Sequence, residues 1–220
     1  MVRLLQRLTQ SGEETEAFAG LVQVLRYCGL LDESVAAHHR AKALDPTIAT
    51  SVCHSHFLRG EYEATIENYV RGTGFYLDAA AWAALGDTDR AVSLLRERVA
   101  APQLGPLMSG LMGSLLAILE GRDRDAQEAI TKTEVVRDPE VMFYFARHFS
   151  MLGDAARAIE MLARAQKEGF TALSAIKRDP AFSAVREHPE FERVASEARS
   201  FEGSARRAFE EAGGRRLLRM

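Results

Sequence analysis

The chain has 220 residues, nearly half of them apolar, and a formal net charge of -3. The near-neutral charge argues against a nucleic-acid binder, since such proteins usually carry a basic face, and two cysteines are too few for a disulfide framework. Met1–Thr9 lacks the apolar run of a secretory signal, and the most apolar stretch, Pro106–Leu119, is shorter than the roughly 20 residues of a membrane span. We therefore expect a cytoplasmic protein with reduced thiols.

Apolar residues recur at helical spacing along most of the chain, and glycines interrupt the pattern at regular distances. The stretch Cys28–Pro46 shows the unit, which is a turn at Gly29, an amphipathic helix and a stop at Pro46. Self-similarity at a period of about 30 residues is typical of helical repeat proteins. Similar turns open at Gly60, Gly86, Gly121 and Gly153.

This period predicts five helical hairpins, each with a helix A before the glycine and a helix B after it. A short helical run, Val2–Thr9, precedes them and is either an N-terminal cap or the end of a longer array. Long alternating strand patterns are missing, so we predict an all-α protein without a sheet. The hairpins are centred on the pairs Val22/Ser34, Cys53/Thr65, Ala79/Ala91, Ser114/Ala126 and Ala146/Ala158.

The end of the chain has a different pattern. Asp-Pro and His-Pro turns at Pro180 and Pro189 are each followed closely by phenylalanine, and a last amphipathic helix extends from Glu190 to about Ala212. A terminal helix of this kind is what an array needs to cover its exposed end. We therefore divide the chain into hairpin repeats over 1–168 and short helices with a capping helix over 169–220.

These residues resemble the tetratricopeptide repeat (TPR) family. Its helix A carries large apolar residues around a small one, and its helix B carries a small residue followed four positions later by a large one. Asp78 departs from the pattern, because it falls where an apolar residue is expected. Here the small positions of helix A are Val22, Cys53, Ala79, Ser114 and Ala146, and the helix B pairs are Ser34/His38, Thr65/Tyr69, Ala91/Leu95, Ala126/Ile130 and Ala158/Leu162.

The resemblance implies a right-handed superhelix, or α-solenoid, of about five TPR-like hairpins with a C-terminal capping helix. The tail resembles the one that follows bacterial arrays of this family, behind kinase, cyclase or DNA-binding modules. By the family's geometry, helix A presents its outer side chains to a concave groove that binds a partner. The partner-binding residues implied here are Gln23, Arg26, Tyr27, His54, Phe57, Tyr76, Phe143 and Arg147.

The sequence contains residue types that occur in metal sites and catalytic sites. Cys53, His54 and His56 are zinc-type ligands, but residues two apart on a helix point about 200° from each other, so packing explains them better. No P-loop, Gly-x-Ser-x-Gly or His-Glu-x-x-His motif is present. We therefore predict no catalytic residue, no metal, no cofactor and no enzyme activity.

The prediction is a protein–protein interaction scaffold that binds a protein or peptide segment in its groove, without nucleic-acid or membrane partners. One alternative is a regulatory or sensor module of a larger bacterial signalling protein. Another is a structural oligomer that associates with itself, for example as a homodimer. Because Pro106–Leu119 is apolar on every face, it must be covered on every face, and we expect the C-terminal helix either to dock there or to cap the fifth hairpin.

Overall fold

The computed structural model describes residues 1–11, 14–133 and 137–220. These residues form helices joined by short turns, with no strand among them, which confirms the all-α prediction. The helices are α1 (Val2–Ser11), α2 (Thr15–Tyr27), α3 (Leu31–Leu44), α4 (Val52–Arg59), α5 (Tyr62–Glu67), α6 (Leu77–Ala84), α7 (Thr88–Val99), α8 (Pro106–Leu119), α9 (Asp123–Thr131), α10 (Pro139–Met151), α11 (Ala155–Lys167), α12 (Leu173–Arg178), a 3-10 helix (Pro180–Phe182), α13 (Ser183–Arg186), α14 (Phe191–Glu211) and α15 (Gly214–Leu218).

The helices from α2 to α11 pack in consecutive pairs, so that α2 lies on α3, α4 on α5, α6 on α7, α8 on α9 and α10 on α11. Each pair turns through one of the five predicted glycines, all in the left-handed region with φ between 69° and 90°. In the first turn, Leu30 N donates to Leu25 O at 2.9 Å, and the other four turns repeat this bond. This is the Schellman ending of a helix, in which glycine is favoured because it lacks a Cβ.

Burial agrees with the residue pattern inside each pair. The five predicted small positions of helix A are all fully buried, and nine of the ten predicted helix B positions are buried, Tyr69 being half-buried. Small side chains at these points let the two helices of a hairpin lie close together. The predicted alternation of small and large residues therefore describes real contacts.

Helix α10 is the centre of the molecule. Every residue from Glu140 to Ser150 is buried, and side chains of α10 contact residues of α2, α4 and α8 and Tyr76, which caps α6. The helix A members of the first four hairpins therefore face the helix A of the fifth. In the described part of the chain, α10 occupies the position where the TPR resemblance predicts an open concave groove, and the right-handed superhelix stays a prediction.

The C-terminal helices pack against both the first and the fifth hairpins. Helix α14 packs on α11 of the fifth hairpin, as the second alternative predicted, and makes no comparable contact with α8. Further along, Phe209 and Leu218 join the core formed by α1, α2 and α3. Phe170 and Phe182 belong to the main core of the hairpins. The division at residue 168 stays a prediction, and the core continues across it.

Helix α8 is covered in another way. Leu111 and Leu115 are buried, and the helix is packed between α7, α9 and α10. Its remaining apolar side chains, such as Met108 and Ile118, are half-buried.

None of the described helices combines the length and the apolar character that crossing a membrane requires.

The substitution Ala146→Leu tests the packing of the fifth hairpin. Ala146 is fully buried in α10, so the added side chain has no room and should lower the free energy of unfolding by about 1–3 kcal/mol. Urea denaturation of the parent and the variant measures this difference. Ala100→Leu, at the exposed end of α7, is the control and should change the value by less than about 0.5 kcal/mol. Equal stability of the two variants would show that Ala146 is not a tight contact.

Candidate functional site

The predicted partner-binding residues come together, but most of them are not accessible. Gln23 is exposed and Tyr27 is half-buried. The other six are buried, which contradicts the expectation that all eight line an open groove. The six buried residues are Arg26, His54, Phe57, Tyr76, Phe143 and Arg147.

Four buried polar side chains form one cluster, which we call the Glu140 cluster. It consists of Arg26 near the end of α2, His54 near the start of α4, and Glu140 and Tyr144 in the first half of α10. Arg26 Nε donates to Glu140 Oε1 at 2.8 Å and Arg26 Nη2 donates to Oε2 at 2.9 Å. Both side chains are only 2% exposed. Arg26 Nη1 also donates to the carbonyl and hydroxyl oxygens of Ser51. This bidentate geometry, with two parallel N–H···O bonds between Arg26 and Glu140, is the strongest form of an arginine–carboxylate pair.

His54 completes the hydrogen bonding of the carboxylate. Its Nδ1 lies 2.9 Å from Glu140 Oε1 and its Nε2 lies 2.8 Å from the carbonyl oxygen of Thr73. A carbonyl and a carboxylate only accept, so a ring with hydrogen on both nitrogens satisfies both contacts. The hydroxyl of Tyr144 lies 2.9 Å from the same Nδ1 and donates to Glu140 Oε1 at 3.4 Å.

The charges of the cluster set the protonation of Glu140. Burial by itself raises the pKa of this carboxyl, but Arg26 and His54 outweigh burial and hold the pKa well below its ordinary value of 4.5. Burial raises the pKa of the Tyr144 hydroxyl, and the charge of Glu140 adds to the effect. Glu140 is therefore a carboxylate and Tyr144 a neutral donor at neutral pH.

A second polar chain lies one turn further along α10. The hydroxyl of Ser114 donates to the Gly110 carbonyl, so Nδ1–H of His148 donates to Ser114 Oγ at 2.8 Å, and Tyr76 donates to His148 Nε2 at 3.0 Å. These bonds suit a neutral imidazole. Burial lowers the pKa of His148 to about 3, and the neighbouring charge of Arg147 acts in the same direction.

A cavity of about 260 Å³ opens in front of the Glu140 cluster, and we call it the mouth cavity. Arg26, His54 and Glu140 form its floor, while the exposed residues Gln23 and Thr73 stand at its rim. The remaining lining residues are Ala19, Tyr27, Ala49, Thr50, Ser51, Phe75 and Asp138.

Asp138 contributes both structure and polarity at the mouth cavity. Its Oδ1 accepts from the backbone N–H groups of Glu140 and Val141, which caps α10. The hydroxyl of Tyr27 donates to the same oxygen at 3.4 Å. Within the described residues, Oδ2 makes no hydrogen bond.

A larger cleft of about 490 Å³ lies along α8 and α9. Its charged lining residues, such as Arg122 and Asp125, are exposed and pair with each other. The cleft contains no convergent group of buried polar side chains, which distinguishes it from the mouth cavity.

The residues weighed as zinc ligands do not assemble into a site. Cys53 is fully buried, and burial raises the pKa of its thiol to about 12. His54 binds Glu140 and Thr73, whereas His56 Nδ1 binds Glu61 at 2.7 Å. Among the described residues, no group of three or more His, Cys, Asp or Glu side chains is arranged to hold a metal ion.

Sequence reasoning missed the contribution of α10. Glu140, Tyr144 and His148 follow each other at intervals of four, which places them on one helix face. This polar stripe within an otherwise apolar helix is visible in the sequence. The repeat pattern did not indicate these contacts, because it predicts that the inner face of the fifth hairpin is exposed to solvent.

No family model matches the chain, and the search of curated proteins found no similar sequence. The resemblance to the TPR family therefore stays a prediction based on the residue pattern.

The Glu140 cluster gives a double-variant prediction. Glu140→Leu leaves the charge of Arg26 buried without a partner, which should lower the free energy of unfolding by about 3–5 kcal/mol. Adding Arg26→Met removes that charge, and the double variant should recover part of the loss. Urea denaturation of the parent, both single variants and the double variant measures the coupling. A double variant less stable than Glu140→Leu alone would contradict the assignment of Arg26 as the main partner.

His148 gives a pH prediction. Between its ordinary pKa of 6.5 and about 3, the unfolded chain binds a proton at this position and the folded chain does not. Stability should therefore fall as the pH is lowered through this window, with His148 contributing about 1.4 kcal/mol per pH unit. His148→Gln should reduce the slope by that amount in urea denaturation at pH 6, 5 and 4.

The control for this measurement is His188→Gln, since His188 lies outside α10 and is only half-buried. It should keep the slope of the parent protein. A parent-like slope in His148→Gln would mean that the buried ring is already charged in the folded state.

Proposed function

We propose that the chain is a TPR-like helical repeat scaffold that binds a polar segment of a protein partner at the mouth cavity. The arrangement of exposed rim residues over a fixed polar floor is the observation that carries this proposal. The proposal keeps the predicted function and moves the binding surface from an open groove to the end of the inner helices. It includes a right-handed superhelix, a cytoplasmic location and the absence of catalysis.

Rigidity supports the mouth cavity as a recognition site. The floor is held by the paired charges of Glu140 and Arg26, and Thr50 and Ser51 directly precede α4. Thr50 Oγ1 is fixed by a 2.7 Å hydrogen bond with His38 Nδ1. Groups that are already oriented lose little freedom when a partner binds.

Backbone strain beside the cavity also supports the proposal. Phe75 has φ of 53° although it is not glycine, a conformation that costs a bulky residue energy. Its ring contacts the edge of His54 at a centroid distance of 4.7 Å. Such strain concentrates at functional sites, and the hydrogen bond between His54 Nε2 and the Thr73 carbonyl holds the strained loop against the cluster.

The two alternatives receive less support. Exposed large apolar side chains in the described residues are scattered, being Val2, Val70, Leu85, Phe201 and Met220, whereas stable homodimers bury more continuous apolar patches. A regulatory module of a larger bacterial signalling protein is compatible with the same mouth cavity. In that case the bound segment belongs to the kinase, cyclase or transcription regulator.

Blocking the mouth cavity tests the proposal. Ala49 and Thr73 are exposed lining residues, and replacing both by arginine should reduce capture of co-purifying proteins at least tenfold by obstructing the rim. Quantitative mass spectrometry of affinity-captured protein measures the loss. Replacing buried Phe57 and Tyr76 by alanine is unsuitable, because each change would cost roughly 3–5 kcal/mol of stability.

The matched control carries arginine at exposed Ala100 and Ser204, which do not line the cavity. It adds the same charge and should capture partners like the parent protein. Both double variants are compared by circular dichroism to confirm that they fold. Undiminished capture by a folded Ala49→Arg, Thr73→Arg variant would refute binding at this cavity.

A further inference from the structure

A second cavity lies towards the other end of α10 and shares no lining residue with the mouth cavity. It has a volume of about 250 Å³ and we call it the Arg147 cavity. Small side chains of α6 leave this space open, and the 3-10 helix that begins at Pro180 forms another side of it. The lining residues are Tyr62, Ala80, Ala83, Ala84, Leu115, Leu119, Arg147, Met151, Asp179, Pro180 and Ala181.

Among the described residues that line this apolar space, Arg147 is the one buried cation. The residue is 6% exposed, and its Nε donates to Asp179 Oδ2 at 2.7 Å. One face lies over the ring of Phe57 at 5.2 Å, and Nη1 contacts the sulfur of Met151 at 3.4 Å. Among the described residues, Nη2 has no hydrogen-bond partner.

The charge around Arg147 is not cancelled by its single carboxylate. Asp179 uses Oδ1 to cap the 3-10 helix by accepting from Ala181 N at 2.9 Å. Arg186 Nη1 donates to the Asp179 carbonyl at 2.9 Å, so two arginines stand near one aspartate. These three side chains together carry a net positive charge, which favours binding of an anion.

The two ends of the guanidinium differ in what they have bound. The Nε edge is occupied by Asp179, whereas the edge formed by Nη1 and Nη2 has only the weak sulfur contact. A planar guanidinium binds a carboxylate through two parallel N–H···O bonds at such an edge. The hydroxyl of Tyr62, which also lines the cavity and makes no hydrogen bond within the described residues, adds a donor.

We propose that the Arg147 cavity binds a small monocarboxylate with an apolar tail. The carboxylate pairs with the Nη1–Nη2 edge, and the tail lies against the alanines of α6 and the leucines of α8. Because the volume is below the 300–1,000 Å³ typical of sites for drug-sized ligands, the tail is short. The inference does not depend on the proposed partner binding, since the two cavities share no lining residue.

Isothermal titration of the full chain tests the ligand class. Butanoate, hexanoate and octanoate vary the tail, while hexan-1-ol and hexylamine keep the six-carbon tail and replace the carboxylate. Hexanoate should bind saturably with one site per chain. Hexan-1-ol should bind at least tenfold more weakly, because it lacks the charge-assisted pair. Equal binding of the alcohol or the amine would overturn the proposal, as would stronger binding of a leucine-ended tripeptide than of hexanoate.

Variants locate the site. Arg147→Met combined with Asp179→Asn removes both charges, so that neither is left buried alone, and should weaken hexanoate about 10- to 100-fold. Ala83→Leu fills the cavity and leaves Arg147 in place, and it should also weaken hexanoate at least tenfold. Ala100→Leu, outside the cavity, should bind like the parent.

Circular dichroism checks that each variant folds, and Ala83→Leu keeps the test decisive if the charge variant does not. Parent-like affinity in a folded Ala83→Leu variant, or in the folded charge variant, would overturn the assignment. Partner capture at the mouth cavity should be unchanged in Ala83→Leu, so failure of either proposal is distinguishable from failure of the other.

Discussion

The buried carboxylate of Glu140 is the constraint on which the inner structure depends. A charge with 2% exposure is tolerated only when it is paired and hydrogen-bonded, and its partners come from α2 and α4, more than 80 positions earlier in the chain. The ion pair and hydrogen bonds of the Glu140 carboxylate therefore hold the first, second and fifth hairpins together. The neutral chain of Tyr76, His148 and Ser114 does the same for the third and fourth hairpins.

This arrangement changes where a repeat protein can bind. The inner face, which the TPR resemblance assigns to a partner, is used for contacts within the chain. Two cavities remain at the ends of α10, one with a polar floor and one with apolar walls around a single arginine. Recognition at the ends of the inner helices, by groups already fixed by packing, replaces recognition along a groove in the function that we propose.

Local structure was predictable from the sequence, and long-range structure was not. The five glycine turns and the small positions from Val22 to Ala146 follow from local rules, since each reflects backbone geometry or contact between adjacent helices. The pairing of Arg26 with Glu140 joins residues 114 positions apart, so it depends on how all the intervening hairpins pack together, which no single hairpin encodes. Only the four-residue spacing of Glu140, Tyr144 and His148 pointed to it. The Arg147 cavity likewise needs Asp179 from the tail, and no residue pattern links that aspartate to α10.

The distance in sequence between Arg26 and Glu140 has a consequence for how the protein folds. Ordinary repeat arrays have low contact order, because each unit touches only its neighbours and folding spreads from any of them. Here the first hairpin cannot complete its inner contacts until the fifth has been synthesised, and the core around Phe209 waits for the end of the chain. Closing so long a loop reduces the conformational entropy of the chain, and this loss comes before the stabilising contacts form. Folding is thereby tied to the whole chain, so a hairpin cannot be added or removed as it can in an open array.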